Sequence, residues 1–200
     1  SHNHYDHMDM ATIKRLGNEP KWLVPLRKGR HLADVGIQNV VELDWWDAYT
    51  ETDISITATP AQHWSARGLF DRFESLWSGF AIKTTNQSIY FAGDTGYNNR
   101  QFVEIGERLG PFSGALIPIG AYEPRWFMKA MHVNPEEAVQ IHQDVQSRLS
   151  LAMHWGTFPL TAEAPTDPPQ KLRLALEAVS IPNQCFQAVP IGHTSEIPPL

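Results

Sequence analysis

The chain has 200 residues, 42% hydrophobic and 19% charged, with a formal net charge of −6. This balance fits one folded globular domain with a real core and excludes a disordered chain, and the absence of a basic run speaks against nucleic acid as a partner. No apolar run approaches the ~18 residues of a bilayer span. The single cysteine, Cys185, excludes an internal disulfide framework and a cysteine-based zinc site, and is compatible with the cytoplasm.

The chain opens "SHNHYDHMD". In an extended segment residues two apart share a side, so His2 and His4 can grip one ion together. Asp6 and His7 follow where the chain turns into a short helix over Met8–Leu16, stopped by Gly17 and Pro20; they can take a second ion. Lys21–Leu26 reads as a strand, and His31, in a Lys/Arg-rich segment, as a surface residue. Val40–Trp45 and Ile54–Thr59 are β-rich, and His63 lies just past the second of them. "GFAIKTTNQSIYFAGD" alternates around Thr85–Asn86–Gln87 as a hairpin and runs into a turn at Gly93, beside Asp94. Gly114–Gly120 is a short apolar run, consistent with a buried strand.

The period then changes. "NPEEAVQIHQDVQSRL" carries Asn134 as N-cap, Pro135 at the first helical position and acids in the first turn. Ala138, Ile141, Val145 and Leu149 fall on one helical stripe, with His142 beside it as a structural residue. A strand over Ser150–His154 follows, then the Pro-rich loop 159–169. A second helix has Asp167 and Pro168 as its cap and Leu172, Ala175, Leu176 and Val179 as its buried side. A last strand over Cys185–Pro190 leads into a Pro-rich tail. Strands first, then alternating strand and helix, predict layered sheets with helices outside, in one domain over 1–200.

His63, Asp94 and His154 all sit at predicted strand exits, where loops on a rigid edge carry function. Singly, each reads equally well as a turn or cap residue; with the opening cluster they form a donor set of imidazole and carboxylate. Such donors suit zinc, and also iron or manganese. Of the tryptophans, Trp22, Trp45–Trp46 and Trp126–Phe127 read as ordinary core packing, as the lining of an acyl groove, or as side chains resting at the headgroup level of a lipid surface.

H-x-H-x-D-H, a later lone His, a G-D-T turn and a late His resemble the ligand series of the metallo-β-lactamase superfamily. "SHNHYDH", "QHW" with Arg67, "FAGDTGY", "YEPRWFM", "MHVNPEEAVQIHQDVQS" and "HWGTF" are similar, more narrowly, to the phospholipases D that hydrolyse N-acyl-phosphatidylethanolamine. The resemblance implies an α/β fold, the αβ/βα sandwich. It implies two zinc ions, one held by His2, His4 and His63, the other by Asp6, His7 and His154, with Asp94 bridging. It also implies a non-ligand His132 near the substrate phosphate, and Asp6 and His132 as the catalytic pair. The family's strands that precede the H-x-H segment are not among these residues, so the resemblance implies a fragment of a longer chain. Hydrolysis of the phospholipid to N-acylethanolamine and phosphatidic acid, with peripheral membrane contact, is the implied activity. A lactonase or nucleotide phosphodiesterase on the same fold stays open, as does a non-catalytic metal-binding scaffold. Arg125 reads either as a phosphate partner or as a structural ion pair, and the tail around His193 matches the family poorly.

Overall fold

In the computed structural model, which describes residues 1–200, the Asp9 carboxylate accepts the amide hydrogens of Ala11 and Thr12 and so starts α1 (Met10–Leu16). The chain continues through β1 (Trp22–Pro25), α2 (Gly29–Ala33) and β2 (Val40–Leu43). β1 and β2 pair in parallel, and the unit closes over a small core of Met8, Ile13, Leu32 and Ile37.

The main sheet has seven strands in sequence order: β3 (Ala48–Glu51), β4 (Ile54–Thr59), β5 (Gly79–Lys83), β6 (Ser88–Phe91), β7 (Phe112–Pro118), β8 (Ser147–Met153) and β9 (Phe186–Gln187). β3 to β6 pair antiparallel, and β6 to β9 pair in parallel. The parallel half requires crossovers, which are α3 (Gln101–Leu109), α5 (Pro135–Asp144) and α6 (Asp167–Ala178), with the short α4 (Arg125–Met128) between β7 and α5. One core cluster joins Tyr90, Ala115 and Ile117 of the sheet to Phe102 and Ile105 of α3, Ala138 and Ile141 of α5, and Leu172 and Leu176 of α6. Each fully buried Ile or Phe in it removes enough apolar surface from water to stabilise the fold by about 1.5–3 kcal/mol.

The strand directions place the site. β4 is antiparallel to β5, and β5 to β6, so β4 runs the same way as β6, β7 and β8. The four therefore end on one edge. His63, Asp94 and His154 follow the ends of β4, β6 and β8 at that edge.

Several expectations need correction. His2 and His4 do not lie on a strand; the segment is irregular and bends at His4, whose carbonyl accepts the amides of His7 (3.2 Å) and Met8 (2.9 Å). α5 ends at Asp144 and Gln146 takes a left-handed φ of 56°, so Leu149 belongs to β8 and not to the helical stripe. Thr166 occupies the N-cap of α6 without a side-chain bond, Asp167 being its first residue, and Val179 is exposed at the C-terminal end. The last strand shrinks to Phe186–Gln187 after a short 3-10 turn. His31 is half-buried on α2 rather than on the surface.

Candidate metal centre

The oxygen Oδ2 of Asp94 lies 3.1 Å from His7 Nε2, 3.3 Å from His154 Nε2, 3.8 Å from His2 Nε2 and 3.9 Å from His63 Nε2. On one side of it His2 Nε2 approaches His4 Nδ1 to 2.9 Å, and His63 Nε2 approaches the same atom to 3.4 Å. On the other side Asp6 Oδ2 stands 3.5 Å from both His7 Nε2 and His154 Nε2. Donor atoms of His2, His4 and His63 thus form one group, and those of Asp6, His7 and His154 a second, each within 4.8 Å, with Asp94 between them. All seven side chains singled out in the sequence meet here.

Local geometry explains how. Gly93 adopts φ +64°, and a Cβ there would stand 3.0 Å from the Ser1 Cβ and 3.0 Å from the Ser78 carbonyl. Only glycine lets the G-D turn take this conformation while the amino-terminal segment packs against it. The Ser78 amide then donates to the Ser1 carbonyl at 3.0 Å. His154 itself sits at φ 58°, a region a bulky residue rarely takes; it aims the imidazole off the end of β8 toward Asp6 and Asp94. Arg67 clamps the opening loop from outside. Its Nη1 donates to the Asn3 carbonyl at 2.9 Å, its guanidinium lies 4.2 Å from the Tyr5 ring, and the Tyr5 hydroxyl donates to its carbonyl at 3.0 Å.

Burial sets the charges. His2 is pushed far down by burial and the neighbouring His7 and His63. Burial also takes His63 down to about 3 and His132 to about 4, despite the charge of Asp94. These imidazoles are neutral, with lone pairs free. His154 moves the other way: burial lowers it, but its bond to Asp6 and the charges of Asp94 and Asp6 raise it overall. Asp94 is held well below the carboxylate range; burial opposes this, but the His7 bond and the charges of His154, His7 and His132 prevail. Asp6 is lowered chiefly by its bond with His154. Neutral imidazoles converging on ionised carboxylates are the donor chemistry of a divalent cation site. Several of the buried atoms find no protein partner, among them His4 Nε2 and Asp94 Oδ1. The remaining nitrogen of His63, Nδ1, binds the Met131 carbonyl at 3.0 Å, the kind of outer contact that fixes a ligating histidine's orientation. The residues present fit a pair of metal ions.

Two cavities open onto the cluster. One, lined by Asp6, His7 and His154, runs under Trp155, Phe158 and Leu160. The other holds His4, Asp94 and His132 with Trp64, Arg72 and Phe127. His132 stacks on His154 at 5.7 Å and meets His63 edge-on at 5.0 Å, and its Nδ1 is buried without a partner. Arg125 binds Glu137 at 2.8 Å and the His132 carbonyl at 2.8 Å, so it is a structural ion pair that carries the His132 backbone. His142 bonds Ser150 at 2.8 Å and stacks on Phe186, a structural residue as expected. His193 is exposed in the tail. Trp22 and Trp45 bond the carbonyls of Gly17 and Trp77, and Trp46 packs on the core; Trp126 is 87% exposed.

Sequence reasoning passed over Glu163, whose carboxylate accepts the amides of Ala121 (2.6 Å) and Glu123 (3.1 Å) and the Thr161 hydroxyl (2.7 Å). It ties the 158–165 loop to the end of β7 beside the first cavity. Nothing in a Pro-rich loop signals a carboxylate with two long-range amide donors.

A sheet with helices stacked on one face and a His/Asp cluster at the strand ends defines a class, and residues 1–155 match the β-lactamase superfamily domain; the chain belongs to that family. More narrowly, it is 43% identical, over 98% of its length, to N-acyl-phosphatidylethanolamine-hydrolyzing phospholipase D 1 of Caenorhabditis elegans. It is 39% identical, over 93% of its length, to the mitochondrial N-acyl-phosphatidylethanolamine-hydrolyzing phospholipase D of Saccharomyces cerevisiae. The chain spans 59% and 42% of the length of these relatives. In fold it superposes on a metallo hydrolase from Ignicoccus hospitalis with a TM-score of 0.71 and 23% identity, covering 97% of this chain and 76% of that one. No helix is long and apolar enough to cross a membrane.

Proposed function

We propose that the protein is a zinc-dependent phosphodiesterase of the phospholipase D type, hydrolysing N-acyl-phosphatidylethanolamine to N-acylethanolamine and phosphatidic acid. The observation that carries this reading is the convergence of four histidine nitrogens within 3.9 Å of one Asp94 oxygen. The names of the relatives from Caenorhabditis elegans and Saccharomyces cerevisiae support the substrate. His2, His4 and His63 would hold one ion, Asp6, His7 and His154 the other, and Asp94 both. Bound there, two zinc ions supply an acidified water and positive charge for the phosphoryl oxygens.

The chain's own residues do the rest. Asp6 is the carboxylate that lines both cavities, so it can take the proton of the attacking water. His132, held by Arg125 through its carbonyl and stacked on His154, donates a hydrogen bond to the phosphoryl or leaving oxygen. Phe127, Met128, Met131 and Leu160 give the second cavity an apolar wall, which strengthens charge interactions made beside it once substrate covers it. Exposed Trp126 and Phe127 on α4, and Phe158 and Leu160 on the loop after β8, provide apolar contact with a lipid surface, with indole suited to the headgroup level.

A substrate panel tests the reading. Zinc-loaded protein is given N-acyl-phosphatidylethanolamine, a lactone and a cyclic nucleotide, and products are identified by mass spectrometry. Release of N-acylethanolamine and phosphatidic acid is the expected result; ring opening of the lactone with an untouched phospholipid refutes it.

A further inference from the structure

Four arginines of the protein are ion-paired, and Arg72 is not one of them. Arg30, Arg108, Arg125 and Arg173 each meet a carboxylate. The guanidinium of Arg72 instead lies 4.7 Å from the Trp64 ring and 5.0 Å from the Phe73 ring, and it makes no ion pair. Its neighbour Asp71 does not neutralise it, because that carboxylate is committed to the amides of Arg67 (2.9 and 3.0 Å) and Gly68 (2.7 Å). Trp64 is itself anchored, meeting the His4 ring edge-on at 4.5 Å. Arg72 therefore lines the same ≈360 Å³ cavity as His4, Asp94 and His132.

The physics of this placement is specific. Aromatic faces hold a guanidinium by its flat side and leave its in-plane N–H fork free. That fork matches the spacing of two oxygens on a phosphoryl group, and a charge-assisted bond of this kind is roughly twice as strong as a neutral one. Arg72 is exposed at the mouth, so its charge is screened by salt and the geometry of the fork carries the recognition. Outside the His/Asp cluster this cavity is lined by the polar side chains of Trp64, Arg72, His132 and Thr161, and the guanidinium of Arg72 is the permanent positive charge among them.

We infer that Arg72, cradled by Trp64 and Phe73, forms an anion-receiving subsite that takes a phosphoryl oxygen of the substrate and sets the preference of this cavity for anionic phosphodiesters over uncharged esters. The inference rests on the phosphodiesterase reading of the same site. Its own test does not depend on turnover. Inorganic phosphate is titrated into zinc-loaded parent, Arg72→Ala and Arg72→Lys by calorimetry at two salt concentrations, with zinc content measured for each. In parallel, KM and kcat are compared for a water-soluble phosphodiester and an uncharged ester.

Loss of one charge-assisted contact weakens phosphate binding about tenfold or more in Arg72→Ala. KM for the diester rises by a similar factor with kcat little changed, and the diester-to-ester ratio of kcat/KM falls in step. Arg72→Lys keeps the charge but loses the fork, and falls between the two. An unchanged phosphate affinity in Arg72→Ala overturns the inference, as does loss of zinc from both variants or a fall in kcat at constant KM. A parent that binds phosphate through Arg72 yet cleaves no diester sustains the subsite and sinks the phosphodiesterase reading instead.

Discussion

Replacing Asp94 with asparagine keeps the side chain's shape and removes its charge. In the structure its Oδ2 is shared among the Nε2 atoms of His2, His7, His63 and His154 at 3.1–3.9 Å, and the residue is 4% exposed. Asp6, the other carboxylate of the cluster, meets only His7 and His154. Removing one charged partner from a buried set typically costs about 3–5 kcal/mol. At about 1.4 kcal/mol per factor of ten, metal affinity in Asp94→Asn falls by roughly 10²–10⁴. The assay is elemental analysis of parent and variant after dialysis against a weak chelator, together with phosphodiester turnover. Two ions per chain are expected in the parent, fewer in the variant, with activity falling alongside. A variant that retains its full metal content and rate removes Asp94 from the site and refutes the reasoning.

His132→Gln retains the metals and lowers kcat by about 10²–10⁴, the usual share of a general acid–base group; elemental analysis with steady-state kinetics checks this, and a full rate shows that His132 plays no chemical part. Glu163→Gln destabilises the protein by about 1 kcal/mol at neutral pH, discounted for partial exposure. Its carboxyl is held low: burial opposes this, but the Thr161 hydroxyl and the backbone amides prevail, so its contribution exists above the ordinary glutamate value of ~4.3 and fades as pH falls through the folded value. Urea melts at neutral and acid pH should therefore show the parent–variant gap closing in acid. Ile141→Ala, at a fully buried position of α5, costs about 2–5 kcal/mol in the same melts without altering the metal cluster. Trp126→Ser weakens flotation of the protein with phospholipid vesicles; equal flotation of parent and variant separates Trp126 from any lipid contact.

Much of the site was legible because its residues mark themselves by local chemistry. His2, His4, Asp6 and His7 stand close together, and His63, Asp94 and His154 each follow a β-rich run whose alternation is plain. The geometry that joins them was not legible, since the irregular bend at His4 and the left-handed backbone of His154 arise from tertiary packing rather than from local pattern. Helix α5 was readable from its Asn134–Pro135–Glu137 start, where both halves of the capping box form. Its end was not, because Leu149 continues the helical spacing past Gln146 by coincidence. Helix α3 escaped notice for the opposite reason: Arg100 offers no side-chain cap, and the helix is short, burying Phe102, Ile105 and Gly106 with Leu109 packed against the core. Arg67 and Glu163 act through partners distant in sequence, and such pairings leave no trace in periodicity or spacing.

The Tyr5–Arg67 clamp, with Asn3 beneath it, has a consequence for assembly order. It fastens the opening loop to the body of the protein through contacts that need no ion, the pairs lying 62 and 64 residues apart. The histidines are thereby presented before cargo arrives, and the entropic toll of gathering them falls on folding rather than on capture of the cation. Loosening that latch should slow or weaken metal uptake while leaving every candidate ligand in place.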